Sequence, residues 1–364
     1  MLKKYPILKW SLVAFTTLLI LLFAFGWWFI SLIPSLDKGM AETQVQDLPY
    51  LTENISAKRG KILAVVTSVT TMGDTDKSTG YELTELSRAY YVFQANGFEV
   101  DVASPLGGAP QVVIDDEDMG AFDYAFLNDS TAQYKVKHTI PVNQIEATDY
   151  EAVFFVGGKG TMFDFPENTA IQSIVRTLYE SDKVVGAVCH GPAALINVTL
   201  NNGQHLLKNK QVSGFTNKEE LLLIPDAETI FPFLLQDELM AQGARFNEGA
   251  MYLEQISHDQ NLVTGQNPWS TWKLAETMVA QLGYTPKPRT ITAEENAVEV
   301  LKVYYTKGSD KAKARIEQMI TKEHKDVARM LFASHSIVSV MKRELGQCFS
   351  LMGLTSYAKK IAND

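Results

Sequence analysis

The chain has 364 residues, enough for one large domain with an appendage or for two domains, and its 46% hydrophobic content suffices for a substantial core. Its net charge of -9, with no Lys/Arg run resembling a phosphate-binding stripe, argues against a nucleic-acid partner. Two cysteines, Cys189 and Cys348, give no disulfide framework and no metal-finger spacing, and six histidines form no His-x-x-x-His pair, so structural zinc is not expected.

Residues 10–36 carry no charged side chain. A bilayer core needs about 20 apolar residues in a helix, so this stretch is expected to be a transmembrane anchor. Trp10 at one end and Trp27 and Trp28 near the other fit interfacial belts. The run exceeds the roughly 7–15 residues of a signal-peptide core, and no Ala-x-Ala-like site comes after it, so cleavage is not expected. Lys3, Lys4 and Lys9 precede the span against Lys38 alone close behind it. The positive-inside rule then leaves residues 1–9 as a short cytoplasmic segment and sends the rest across the membrane, to a periplasm or cell surface.

Residues 37–60 are polar and mixed, and read as a tether. Residues 61–284 read as a catalytic α/β domain. The expected strands are Lys61-Ile-Leu-Ala-Val-Val, Phe98-Glu-Val-Asp-Val-Ala-Ser, Ala152-Val-Phe-Phe-Val, the run before Cys189 and Leu262-Val-Thr-Gly, with helices near 82–94 and 168–181. Asn267 and Pro268 read as N-cap and first residue of a final helix. This alternation predicts a doubly wound, mostly parallel sheet covered on both faces, with the site beyond its carboxyl edge. The loops at 70–80, 105–109, 157–161 and 189–191 gather there. Residues 285–364 show helical periodicity only, opened by a Thr292/Glu295 capping-box spacing, and predict an all-helical extension of three or four helices. That extension is either a docking module or a cover for the core domain, and Cys348 reads as a packing residue.

The most informative stretch is Val184-Val-Gly-Ala-Val-Cys189-His190-Gly-Pro192-Ala-Ala-Leu195. A β-branched run stops at Cys-His-Gly-Pro and helix-forming residues come next, which predicts a strand, a sharp turn and a helix. A thiol at that turn would be exposed at a helix N-terminus, with its thiolate favoured. The competing reading is a buried, inert cysteine.

With its neighbours, this segment resembles the nucleophile motif of the DJ-1/PfpI superfamily, within the class I glutamine amidotransferase-like (flavodoxin-like) fold. Gly157-Gly158-Lys159-Gly160, trailed by Asp164-Phe-Pro166, resembles the superfamily's Gly-Gly-His-Gly loop. Thr79-Gly80-Tyr-Glu-Leu-Thr-Glu85 resembles the segment with its acidic partner. Val212-Ser-Gly214-Phe215-Thr216-Asn-Lys-Glu-Glu220 and Thr264-Gly-Gln-Asn-Pro268 resemble the heat-shock-type branch of glutathione-independent glyoxalases and holding chaperones. The resemblance spans residues 60–283.

It implies a catalytic Cys189 with Glu85 beside it, Glu82 being a rival on the same stretch. It implies that His190 pairs with Glu220, or alternatively Glu219, in a Cys–His–Glu arrangement. Backbone N–H groups of Gly158 and His190 would form an oxyanion hole. Lys159 stands where the family usually has His, which makes the pocket mouth cationic and bears on substrate preference. The implied activity is conversion of an α-oxoaldehyde such as methylglyoxal to a hydroxy acid, with no metal, glutathione or other cofactor expected. A cysteine amidase or peptidase, and a non-enzymatic chaperone or oxidation sensor, are the alternatives. The expected partners are a small aldehyde or amide substrate and the membrane. A homodimer is expected from relatives, and protein docking through the C-terminal helices is allowed.

Overall fold

The computed structural model describes residues 6–33, 39–115 and 118–363. The chain divides into two compact units, Asp37–Thr290 and Met1–Leu36 together with Ile291–Asp364. In the smaller unit, helix α1 spans Pro6–Leu32, and its Trp10–Leu32 stretch is long and apolar enough to cross a membrane. Trp10, Phe23 and Trp27 are exposed along it, whereas Leu32 is buried. The flanking charges Lys3, Lys4 and Lys38 used for orientation, and residues 34–36 of the expected span, lie outside the described residues.

The larger unit begins differently from expectation. Residues 39–60 are not a loose tether in the structure. They form short turns and the helix Pro49–Thr52, whose Tyr50 is buried, and Val45, Leu48 and Leu51 pack on the core. The Asn128 side-chain amide donates to the carbonyls of Ala41 and Thr43 at 3.0 and 2.9 Å. A few apolar residues spaced among polar ones were enough to dock the segment.

Alternating elements then build a mixed α/β layer. Strand β1 (Lys61–Val65) precedes α2 (Leu83–Ala95), followed by β2 (Glu99–Ser104), β3 (Ile140–Pro141) and β4 (Ala152–Phe155). Helix α3 (Thr169–Glu180) leads to β5 (Val184–Val188), and α4 (Asn217–Leu223) lies between it and β6 (Ile256–Asp259). Strand β7 (Leu262–Gly265) and α5 (Thr271–Gln281) complete the unit, α5 entered through a 3₁₀ turn at Pro268–Ser270 with Asn267 as its cap. The main sheet runs β6-β7-β5-β4-β1-β2-β3. All pairings are parallel except β6 with β7. β1, β4 and β5 are almost wholly buried apolar runs, as strands covered on both faces must be.

The chain steps outward from β1 to β2 and then returns to β4 on the other side of β1. That reversal opens a crevice at the carboxyl edge. The loops after β1, β4 and β5 all leave the sheet there. Residues 110–150, for which no element is predicted, hold the helices Ala121–Asn128 and Ser130–Lys137, and Val112–Val113 pairs with Tyr81–Glu82.

In the smaller unit, α6 (Ala293–Lys307) opens on the expected Thr292/Glu295 box, with Thr292 Oγ1 accepting from the Glu295 N–H at 3.2 Å. It is followed by α7 (Ser309–Glu317, continuing as a π-turn over Gln318–Lys322), α8 (Arg329–Met341) and α9 (Leu345–Asn363). Leu301, Ile316, Met319, Phe332 and Leu351 are among its fully buried side chains. Cys348 is buried there with its sulfur 3.8 Å from that of Met352.

Candidate active site

Cys189 stands directly after the last residue of β5 and adopts φ +58, the left-handed region that costs a non-glycine residue energy. Its backbone is held on both sides. The N–H donates to the Gly265 carbonyl at 2.9 Å, and the carbonyl accepts from the Phe215 N–H at 2.8 Å. The chain continues into a five-residue 3₁₀ turn, Gly191–Leu195, and not the expected α-helix. Pro192 is tolerated in that first turn, and the turn ends where Ile196 returns to extended backbone.

The turn is sharp enough to bring adjacent side chains together. Cys189 Sγ lies 3.3 Å from His190 Nδ1, and His190 Nε2 lies 2.5 Å from Glu220 Oε2. Phe215 packs on the imidazole, ring centroids 4.6 Å apart. The Thr161 hydroxyl sits 3.0 Å from the His190 carbonyl and 2.9 Å from that of Gly158, which ties the two loops. Glu220 is held below the usual carboxylate range by His190 despite its burial, with Lys159 adding to the effect. An ionised Glu220 takes the Nε2–H, which leaves the Nδ1 lone pair facing the thiol.

Glu219, the alternative partner, is occupied elsewhere. It closes the capping box of α4 with Thr216 and accepts from the Tyr252 N–H at 2.7 Å and from the side chains of Gln266 and Asn267. The Thr-x-x-Glu spacing of 216–219 is the sequence signal that separates the two glutamates.

Glu85 projects from the first turn of α2 and is fully buried. Its Oε2 accepts the Gly157 N–H at 2.7 Å. Burial and the neighbouring Glu82 push its carboxyl up to about 8, against hydrogen bonds from Cys189 and Gly157 that pull it down. Glu82 is only half-buried and donates its N–H to the Gly157 carbonyl at 3.3 Å.

The thiol departs from the expectation of an exposed thiolate. Cys189 is 3% exposed, and burial together with Glu85 and Glu82 raises its pKa well above the ordinary thiol range, with Lys159 opposing. The cover comes from residues distant in sequence, which is why the motif alone did not reveal it. Lys159 is half-buried, and its charge acts on Cys189, Glu82 and Glu220.

Two glycines make this packing sterically feasible. A Cβ on Gly157 would stand 2.5 Å from Glu85 Oε2 and 2.7 Å from Cys189 Cβ. Gly158 has φ +111, and a Cβ there would meet the Gly80 carbonyl at 2.1 Å. The amide N–H groups of Gly158 and His190 have no acceptor among the described residues. Gly157→Ala is expected to destabilise the fold by about 1–3 kcal/mol and to separate Glu85 from the thiol. Denaturant unfolding and turnover measured together check it: unchanged stability and rate would contradict the packing described.

The sequence model of the DJ-1/PfpI family matches residues 77–281. Glyoxalase 3 of Candida albicans is 30% identical over 234 residues, covering 60% of this chain and 97% of that protein. Glutathione-independent glyoxalase HSP31 of Saccharomyces cerevisiae is 31% identical over 228 residues, covering 59% and 94%. Among solved structures, that of Rapid Encystment Protein 24 kDa from Francisella tularensis is similar with a TM-score of 0.58 and 34% identity, covering 62% of this chain and 99% of that one. The crystal structure of glyoxalase III from Candida albicans gives a TM-score of 0.56 at 28% identity, with 61% and 97% covered.

Proposed function

The chain belongs to the DJ-1/PfpI family, and from that premise we propose that it is a glutathione-independent glyoxalase-type enzyme working through Cys189 on α-oxoaldehydes such as methylglyoxal. The observation that carries this reading is the buried carboxyl of Glu85 beside the thiol. Amide or ester hydrolysis needs a nucleophile, a base and an oxyanion hole. It does not need a second carboxyl, proton-poised near neutral pH, buried against the sulfur. Moving a proton between two adjacent carbons does.

In the proposed sequence the Cys189 sulfur bonds to the aldehyde carbon while its proton passes to His190 Nδ1 and on to the new alkoxide, giving a hemithioacetal. The N–H groups of Gly158 and His190 would hold that oxygen while it is negative. Glu85 takes the hydrogen of the former aldehyde carbon and returns it to the adjacent carbon, as the hydroxyl proton moves to the neighbouring oxygen. The product on sulfur is a 2-hydroxyacyl thioester. Water cleaves it to the hydroxy acid and restores the thiol. Aldehyde plus water gives acid, so no redox partner and no glutathione enters.

The test is methylglyoxal loss and lactate formation by the full chain in detergent without glutathione. Matched loss and gain support the reading. A protein inert toward methylglyoxal that hydrolyses thiol-reactive esters or amides would instead support the second reading, a Cys–His–Glu hydrolase, which the 2.5 Å His190–Glu220 contact favours. The oxidation-sensor alternative draws less support, because sensors need an exposed, low-pKa thiol and Cys189 is neither.

Glu220 acts through His190 as a positioning residue. Glu220→Gln is expected to lower kcat by on the order of 10²-fold, with KM little changed, and to slow alkylation of Cys189 by iodoacetamide. A variant with lower kcat but unaltered alkylation would assign Glu220 a merely structural role.

We also read α1 as an uncleaved anchor that leaves the N-terminus in the cytoplasm and the larger unit outside it. This rests on helix length and on the lysines of the N-terminal segment. A reporter fused after residue 40 is expected to be active only on the outer side, and activity confined to the cytoplasm would reverse the orientation.

A further inference from the structure

Helices α8 and α9 of the smaller unit form a hairpin through Lys342, Arg343 and Glu344. The Ser339 hydroxyl donates to the Gln347 side chain at 2.8 Å, and the Glu344 N–H donates to the Ser339 carbonyl at 2.8 Å. The tip is therefore ordered. It is also apolar on its outside. Ile337, Val340 and Met341 are exposed on the last turns of α8, and Leu345 and Phe349 are 59% and 63% exposed on the first turns of α9. Spacings of four residues, 337 to 341 and 345 to 349, set each group along one side of its helix. Lys342 and Arg343 stand exposed between the two groups, Lys342 sharing Glu344 at 2.9 Å.

The same helix α9 is fixed to the end of α1. Lys359 Nζ donates to the Ser31 carbonyl at 2.6 Å, where α1 presents its unsatisfied last-turn carbonyls, and Leu32 is buried. About fourteen residues at roughly 1.5 Å per residue separate Lys359 from Leu345, so the tip stands about 21 Å along α9 from the residue tied to the end of α1.

We propose that this hairpin tip rests on the lipid surface from which α1 emerges. The apolar side chains would enter the headgroup boundary, and Lys342 and Arg343 would face anionic headgroups. Large apolar side chains flanked by cations are what an interfacial segment presents to lipid. The tie between Lys359 and Ser31 favours lipid over a soluble partner, because it keeps α9 at the membrane end of the anchor. This rests on the reading of α1 as a membrane span.

The experiment uses the full chain with Cys189→Ser and Cys348→Ser, reconstituted in vesicles of phosphatidylcholine and phosphatidylglycerol. Single spin labels are placed through Met341→Cys, Phe349→Cys, Leu19→Cys in α1, and Lys311→Cys as an exposed site of the same unit. Accessibility to oxygen, which concentrates in lipid, is compared with accessibility to a water-soluble nickel chelate. Labels at 19, 341 and 349 are expected to favour oxygen several-fold over the label at 311. The preference at 341 and 349 is expected to fall with Lys342→Glu and Arg343→Glu. Labels at 341 and 349 that match 311 while 19 favours oxygen would overturn the docking and leave the anchor standing. Labels at 341 and 349 shielded from both reagents would mean that protein covers the tip, which also overturns it. A label at 19 that matches 311 would remove the span, and the docking with it.

Discussion

Cys189→Ser is expected to reduce methylglyoxal turnover by roughly 10⁴–10⁶-fold, the scale of removing a covalent nucleophile that works with its base as a unit. The loss has a specific origin here. A serine hydroxyl in the same pocket faces the same carboxyls and the same burial, and with its far higher pKa it gives up its proton to His190 much less readily and is the weaker nucleophile. Stability should change little, by about 1.5 kcal/mol at most, since the hydroxyl is close to isosteric and finds His190 Nδ1 as acceptor. Measuring kcat beside an unfolding curve separates the two effects. A serine variant that retains a tenth of the wild-type rate would show that the sulfur forms no covalent intermediate.

Glu85→Gln carries the second large effect and moves activity and stability in opposite directions. Removing the proton shuttle should cost on the order of 10²–10⁴-fold in kcat. The same change should stabilise the fold, and the sign comes from proton counting. Glu85 is pushed from an ordinary 4.5 up to about 8, so between those values the folded chain keeps a proton that the unfolded chain has lost. Stability of the wild type therefore falls as pH rises through that window and levels off above it. At about 1.4 kcal/mol per unit of pKa, the penalty reaches up to about 4 kcal/mol at pH 8. Glutamine does not ionise, so its stability advantage should widen from pH 5 to pH 8. Wild-type kcat/KM should rise over the same range, because the shuttle must begin as a carboxylate to accept the carbon-bound proton. Equal pH slopes in the two proteins would place the titration elsewhere.

The fold was legible where burial made the pattern unambiguous. The strands β1, β4 and β5 are covered on both faces and read as continuous apolar runs, and α3 announces itself by Asn168, whose side chain accepts from the Ala170 and Ile171 N–H groups at 3.1 Å. The edge strand β6 reads Ile-Ser-His-Asp, three of its four residues polar, and carries no such pattern. The docking of residues 39–60 depends on single side chains such as Tyr50 reaching a surface built by distant segments.

At the site, Cys189 could be picked out from its strand-and-turn setting, whereas Glu85, the role of His190 and Glu220 were named through the resemblance to the DJ-1/PfpI superfamily. Their environment was legible in neither. Cys189 is buried by Glu85 from α2, Gly157 after β4 and other groups far away in the chain, and that burial inverts the thiolate expectation drawn from the turn alone. The choice between Glu219 and Glu220 was within reach, since one residue cannot both close the capping box with Thr216 and serve His190. Lys159 belongs to a third kind, a residue whose position is clear and whose effect depends on the summed field of Glu82, Glu220 and Cys189 around it.

The most direct test of the covalent scheme is an acid quench during methylglyoxal turnover, with mass analysis of the peptide that carries Cys189. The account predicts a 2-hydroxyacyl thioester on Cys189 alone, which the acid quench preserves, and its absence from the Glu85→Gln protein, where the proton cannot move between the two carbons. Lactate formed at full rate with Cys189 unmodified throughout would contradict it.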